Sequence, residues 1–274
     1  MIDTFGLVKE HLIEFGLEFF DDDSYWDWGG ALLQKNAAYK DLELLEEYRE
    51  KVSENPTYGD KKRFYDFIAT RDVFVKVIHS MKSNEIASSC LSVVNEIKDD
   101  SNILDLGCNV GYLTSFYSKY FKKSQIVGFD TCKKSILRAN QLKPKNPNLQ
   151  FFNSFEKIKD FQFDFVIDTQ CLSDIDDPQI RSNTVNDMHK VLADDGILVS
   201  VSTLQNKDEA EHFIQTFNNE GFYLQKLLPV IVRSLDKWQG YTKLVFTKID
   251  NEVIYNVSDL FEEMLSCLDQ KNRS

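Results

Sequence analysis

The chain has 274 residues, 42% of them apolar, and a formal net charge of −12. That suits one large domain or a domain with an added cap, and it excludes a disordered tail. An acidic chain is a poor general binder of DNA, because phosphate contacts need clustered Lys and Arg. The charge is uneven: residues 1–50 carry −9 and residues 101–150 carry +6. No run of about 18 or more apolar residues offers a membrane span. The N-terminus has acids where a signal peptide needs a basic start. The five cysteines, Cys90, Cys108, Cys132, Cys171 and Cys267, form no CxxC pair. They read as reduced thiols of a cytoplasmic protein, with neither a disulfide framework nor a zinc site.

The first hundred residues read as helices. Phe5, Val8, Leu12, Phe15 and Phe19 share one helical stripe. An acidic loop follows from Asp21 to the pair Gly29-Gly30. Leu42, Leu45, Tyr48 and Val52 mark a second helix, with breaks expected at Asn55-Pro56 and Tyr58-Gly59. Phe64 through Ile78 reads as one third helix, and Ile86 through Ile97 as a fourth.

The pattern then changes to short apolar runs at Asn102–Asp105, Gln125–Asp130, Leu149–Phe152, Phe163–Asp168 and Ile197–Val201. Helical stretches near 111–122, 133–142, 178–193 and 206–220 separate most of them. Strand and helix in alternation predict a doubly wound α/β fold with a parallel sheet. Phe222–Val232 and Tyr241–Thr247 are joined by too short a connection, Ser234–Gly240, for a crossover helix, so they are expected to be antiparallel. Val257, Leu260, Phe261, Met264, Leu265 and Leu268 give an amphipathic C-terminal helix. The expected organisation is a helical cap or lid over 1–98, a core over 99–250 and the terminal helix over 251–274.

Asp105-Leu106-Gly107-Cys108-Asn109-Val110-Gly111 stands where the first strand turns into a helix. Glycines there let the backbone approach a ligand. The acid two residues before the first glycine would repel a pyrophosphate and suits a ligand with a cationic end. The stretch resembles motif I of the class I S-adenosylmethionine (SAM)-dependent methyltransferases. Asp130 matches the acid that holds the ribose hydroxyls in that family, Phe163–Asp168 matches its fourth strand, and Val191–Leu198 resembles its approach to strand five. The resemblance covers about 99–249. It implies a Rossmann-like seven-stranded sheet with an antiparallel last strand, and a cofactor, SAM, that leaves as S-adenosylhomocysteine (SAH). The binding residues it implies are Asp105, Gly107, Cys108, Asn109, Gly111, Asp130, Thr131, Asn153, Ser154 and Asp168.

Two departures stand out. Asn109 replaces the middle glycine, and Asn tolerates left-handed backbone better than most residues. Asn153-Ser154 stands where the family often has an acid that meets the adenine amino group.

Absent motifs bear on the acceptor. Asp168-Thr169-Gln170-Cys171 is not the Asn/Asp-Pro-Pro-aromatic motif of enzymes that methylate adenine or glutamine amino groups. Ser200-Val201-Ser202-Thr203 lacks the Asp-Asn pair of metal-dependent members, and the Asp21–Asp27 loop lacks the glycine and glutamate of a calcium loop, so no metal is expected. His79, at the end of the third helix, is the candidate general base. Tyr25, Trp26, Trp28 and Tyr58 are candidates for a lid.

The expected activity is methyl transfer to an O, N or C nucleophile of a small molecule, with the acidic cap favouring a cationic or amine acceptor. The alternatives are a protein or RNA methyltransferase and a non-catalytic subunit of the same fold. Lys119 through Lys145 form a basic patch that could dock RNA or an acidic protein, or pair with the acidic N-terminal segment.

Overall fold

The computed structural model describes residues 3–272 apart from 55, 205, 236 and 252–254. Asn55 of the expected break and Asp236 of the expected hairpin connection thus lie outside the described residues. The chain opens with α1 (Thr4–Glu14), α2 (Ser24–Asn36), α3 (Tyr39–Ser53), α4 (Tyr58–Ala69), α5 (Asp72–Met81) and α6 (Ser83–Val94). It continues as β1 (Asn102–Leu106), α7 (Tyr112–Tyr120), β2 (Gln125–Phe129), α8 (Lys133–Leu142), β3 (Leu149–Phe152) and β4 (Phe163–Thr169). Then come α9 (Pro178–Val191), β5 (Leu192–Ser202), α10 (Lys207–Asn219), β6 (Tyr223–Ser234), β7 (Lys237–Thr247) and α11 (Val257–Asn272).

The strands form one seven-stranded sheet in the order β3-β2-β1-β4-β5-β7-β6. The first five run parallel, and β7 runs antiparallel to both β5 and β6. The fold is therefore α/β, doubly wound and Rossmann-like, with helices preceding the sheet. From β1 the chain winds outward through β2 and β3, then returns to the other side of β1 at β4. That reversal opens a crevice at the carboxyl ends of β1 and β4, where ligands bind in open α/β sheets.

Alternation along the strands divides the core in two. Ile103, Ile126 and Phe165 face one side and pack with Val8 and Leu12 of α1, Ala87, Cys90 and Val93 of α6, and Phe116 of α7. Leu104, Leu106 and Val166 face the other side, under Val185 of α9, Phe213 of α10 and Phe261 of α11. Thus α1 and α6 belong to the layer that covers the sheet. His11 of α1 also donates through Nε2 to the Tyr112 carbonyl at 3.0 Å. The remaining helices, α2 to α5, pack chiefly on one another around a small centre of Leu45, Ile68 and Phe74.

Several expectations are corrected. Of the expected loop only Asp21–Asp23 lie outside a helix, because α2 runs from Ser24 through the glycine pair. Gly29 is buried against α5, and a Cβ there would stand 3.4 Å from Val77 Cγ1. Tyr25 donates to the Val77 carbonyl at 3.2 Å. Close packing of α2 on α5 outweighs the cost of about 1 kcal/mol for glycine in a helix. Second, Phe64–Ile78 is two helices. Arg71 turns extended between them, donating to Asp41 Oδ1 at 2.7 Å and stacking on Phe67 at 4.1 Å. Tyr58-Gly59 begins α4 rather than breaking a helix, capped by Thr57 in a reciprocal box with Asp60. Third, the last hairpin is paired up to Ser234 and Lys237, so most of the expected connection is strand. Gly240 is where α11 comes close, since a Cβ there would run into Met264 Sδ. Strand β5 likewise begins directly after α9, with a bulge between its pairing to Phe163 and to Phe165.

Two polar ties bolt α6 to the antiparallel end of the sheet. Glu85 accepts from the Tyr241 hydroxyl at 2.6 Å and from Ser234. Glu96, just past α6, pairs with Lys243 at 2.7 Å, with only 15% and 8% of the two side chains exposed. Removing one member of a buried pair strands the other charge. Glu96→Ala should therefore cost about 3 kcal/mol of stability, measured as a shifted urea midpoint with an unchanged slope.

Candidate active site

The turn from β1 into α7 is built from left-handed backbone. Gly107 has φ +72°, Asn109 +50° and Gly111 +82°. Asn109 thus adopts the geometry expected of it. The turn is held from β2: Gly107 and Cys108 donate to the Phe129 carbonyl at 2.8 and 3.1 Å. Asn109 N donates to Asp130 Oδ2 at 2.9 Å, and Cys132 N to Asp130 Oδ1 at 2.7 Å. A Cβ on Gly111 would fall 2.6 Å from the Phe151 ring, so that position also requires glycine for space.

Three acids surround this turn. Asp105 is buried beneath it and accepts from Thr114 Oγ1 at 2.5 Å. Burial pushes its carboxyl up to about 7. Asp130 is raised by the same cause, against the opposing pull of its two backbone donors. Asp168, at the end of β4, has no exposed surface. It accepts from Ser200 Oγ at 2.7 Å and Leu172 N at 3.0 Å, and burial lifts it to about 6.

A cavity of about 550 Å³ lies between the turn and the helices α2 to α5. It brings together Asp105, Gly107, Cys108, Asn109, Asp130 and Thr131 from the sequence-derived set, and His79 joins them from the cover. Gly111, Asn153, Ser154 and Asp168 do not reach its wall. Gly111 starts α7, Ser154 precedes a single 3₁₀ turn, and Asp168 fastens the segment after β4. That segment sends Thr169, Gln170, Cys171 and Asp174 to the cavity. Asp174 and Gln170 had no signal in the sequence: Gln170 turns inward through an unusual φ of +70°. Asp174 opens into the cavity yet sits deep enough for burial to raise its carboxyl.

The cover closes over this floor at named points. The Tyr58 hydroxyl meets Thr131 Oγ1 at 2.7 Å, and Lys61 pairs with Asp176 at 2.6 Å. Asp66 accepts from Lys134 N at 2.9 Å, capping the start of α8. Tyr25, Trp26 and Tyr58 line the cavity, from helices rather than loops, while Trp28 packs on Phe20. His79 Nδ1 donates to the Val75 carbonyl at 2.8 Å, and its ring stands edge-on to Tyr112. Burial lowers its pKa to about 4, so the ring is neutral at pH 7 with its proton on Nδ1. The basic patch at 119–145 is partly neutralised by the cover and α1: Lys119 pairs with Glu14 at 2.7 Å and Arg138 with Asp72.

These residues fit a ligand with a cationic end and a polyhydroxyl part. A buried carboxylate stands below the turn, and a second stands at its edge. Asn109 Oδ1 is buried without a hydrogen-bond partner, an acceptor left open beside them. A family model described as a methyltransferase domain matches residues 77–238. The match spans more than half of the chain, and the chain belongs to that family: it is a class I SAM-dependent methyltransferase, an enzyme whose cofactor is SAM.

Among solved structures, the protein bound to the Trm112 methyltransferase activator of Haloferax volcanii is similar at 11% identity and TM-score 0.54, over 68% of this chain and 98% of that one. The likeness shows the fold. The N-methyltransferase NodS of Bradyrhizobium japonicum, solved with SAH, is 18% identical at TM-score 0.49, over 60% of this chain and 86% of that one. A TehB-like SAM-dependent methyltransferase of Corynebacterium glutamicum is 18% identical at TM-score 0.47, over 59% and 88%. No curated protein matches the chain. Among the described residues no helix is long and apolar enough to cross a membrane.

The raised carboxyl of Asp105 has a consequence for stability. An acid whose folded pKa exceeds its unfolded value stabilises the fold while protonated, and that stability drains away as pH rises from the unfolded value of about 4 through the folded value of about 7. Asp168 acts in the same direction. Asp105→Asn cannot ionise and keeps an acceptor for Thr114. It should partly flatten the fall in Tm between pH 5 and 8, read from thermal unfolding of the ligand-free protein.

Proposed function

We propose that the chain methylates a small molecule inside the cavity between the glycine turn and α2–α5. The observation that carries this reading is the convergence of Asp105, Asn109, Asp130, Thr131 and His79 on one cavity. SAM, when bound, supplies a methyl group already activated on a sulfonium. The protein's share is therefore positioning and exclusion of water.

In this reading Asp105 and the open Oδ1 of Asn109 hold the amino-acid end of the cofactor, with Gly107 and Cys108 giving close backbone approach. Asp130 and Thr131 hold the ribose, and Tyr58 closes on Thr131 from above. Asn153 and Ser154 stand behind the cavity wall and are assigned no contact with the cofactor. Asp168 and Gly111 act as positioning residues for the segment after β4 and for the start of α7. His79 presents Nε2, free of its proton at neutral pH, to take a proton from the acceptor. The roof of helices over the cavity favours a small acceptor over a polymer, and the pairing of Lys119 and Arg138 with acids weakens the basic patch as a dock for RNA.

Asp130→Ala should weaken SAM binding about tenfold or more, since charge-assisted hydrogen bonds contribute roughly 1.5–3 kcal/mol each. Calorimetric titration with SAM tests this, and unchanged affinity overturns the assignment. Turnover of labelled SAM against small-molecule, protein and RNA panels tests the acceptor class. Product confined to the macromolecular panels would overturn the small-molecule reading. His79→Gln should lower kcat more than it raises KM for an acceptor whose nucleophile carries a proton.

A further inference from the structure

The cover presents the cavity with a charge opposite to its own net charge. Residues 1–50 carry −9, but their acids point outward: Asp21, Asp22, Asp23, Asp27, Glu46 and Glu47 are all exposed. Among the described residues, the one charged side chain that this segment places on the cavity wall is Arg49. The next helices add Lys61, Lys62 and Lys82. The facing acids are Asp105, Asp130 and Asp174 from the core. Asp105 and Asp130 belong to the glycine turn, which leaves Asp174 as the acid facing the rest of the space.

The four cations are not equally engaged. Lys61 is held by Asp176 and by the Asp174 carbonyl at 2.7 Å. Arg49 has a distant partner in Glu46, at 3.8 Å on its own helix. Lys62 and Lys82 form no ion pair among the described residues. The Lys62 carbonyl accepts from the Cys132 thiol, which ties this turn of α4 to the start of α8. Lys82 lies just beyond the end of α5, near enough to act electrostatically on both His79 and Asp174. The wall between these charges is apolar and aromatic, with Trp26, Phe64 and Ile78. An amine entering here would meet unpaired ammonium groups. An anion would supply counter-charge to Lys62, which is half-buried, and to Lys82, which is exposed at the rim of the cavity with Asp174 as its nearby acid.

We propose that the methyl acceptor is an anionic small molecule, an apolar or aromatic body bearing a carboxylate or phosphate that Lys62 and Lys82 hold. This rests on the methyltransferase reading of the site, and it reverses the preference for a cationic acceptor that the acidic N-terminal segment suggests.

The test uses the full chain saturated with SAH and four probes of similar size: 4-hydroxybenzoate, phenyl phosphate, 4-hydroxybenzamide and tyramine. Calorimetry should show the two anions binding at least about tenfold tighter than the amide and tyramine, a difference of about 1.4 kcal/mol. The stronger of the two anions identifies the acidic group. The double variant Lys62→Gln/Lys82→Gln should lose this preference while its affinity for SAH stays unchanged, which also reports that the site is folded. Lys62→Arg/Lys82→Arg should keep it. The proposal is overturned if tyramine or the amide binds as well as the anions, if no probe binds the SAH-loaded protein, or if the preference survives in the glutamine variant. Failure of SAH itself to bind would overturn the cofactor reading beneath it, and it would be seen before any probe is added.

Discussion

The backbone of residues 107–111 is the constraint on which the rest of the molecule depends. Of its three alternate left-handed positions, two are glycine, which takes that geometry freely, and the third, Asn109, is supported from the neighbouring strand. The Phe129 carbonyl takes two of the amides and the Asp130 carboxylate a third. The turn can hold its shape only when β1 and β2 are paired in register, with Leu106 opposite Phe129. Correct pairing of β1 with β2 and the shape of this turn on the cavity floor are thus tied together. The buried acids follow from that geometry, because Asp105 lies under the turn and Asp130 closes its edge.

The N-terminal helices divide by what they touch. Helices α1 and α6 are part of the sheet's covering layer, and α6 is fastened by Glu85 and Glu96 to β6 and β7. Helices α2 to α5 rest on a small centre of their own and meet the core along the rim of the cavity. The cavity is therefore bounded by two bodies of different character: a rigid floor set by strand ends and a roof set by packing among short helices.

Much of this was legible in the sequence because it obeys local rules. The five short apolar runs became the five parallel strands. The short connection after Val232 correctly required an antiparallel end. Asn109 was readable as a left-handed residue because it stands where the motif has a glycine and Asn tolerates that geometry. The misreadings share a physical cause. Gly29-Gly30 looks like a turn until α5 is seen against it, and Phe64–Ile78 keeps one apolar stripe across a break made by Arg71 and its partner Asp41. Asp168 and Asp105 look alike as strand-end acids. Only the fold turns one to the cavity and buries the other under Ser200. The direction of the charges in residues 1–50 was illegible for the same reason: a net sum does not say which face of a helix points inward.

The joints between roof and floor have a further consequence. Lys61–Asp176 and Arg138–Asp72 each have at least one partner largely open to water, at 52% and 85% exposure for the two aspartates. The ties of α6, by contrast, are sheltered. Dissolved salt screens open pairs far more than sheltered ones, with a Debye length of about 8 Å at physiological ionic strength. The roof is thus coupled to the ionic strength of its surroundings while the floor is insulated from it. The joints between roof and floor and the ties of α6 to the sheet differ in their sensitivity to dissolved salt.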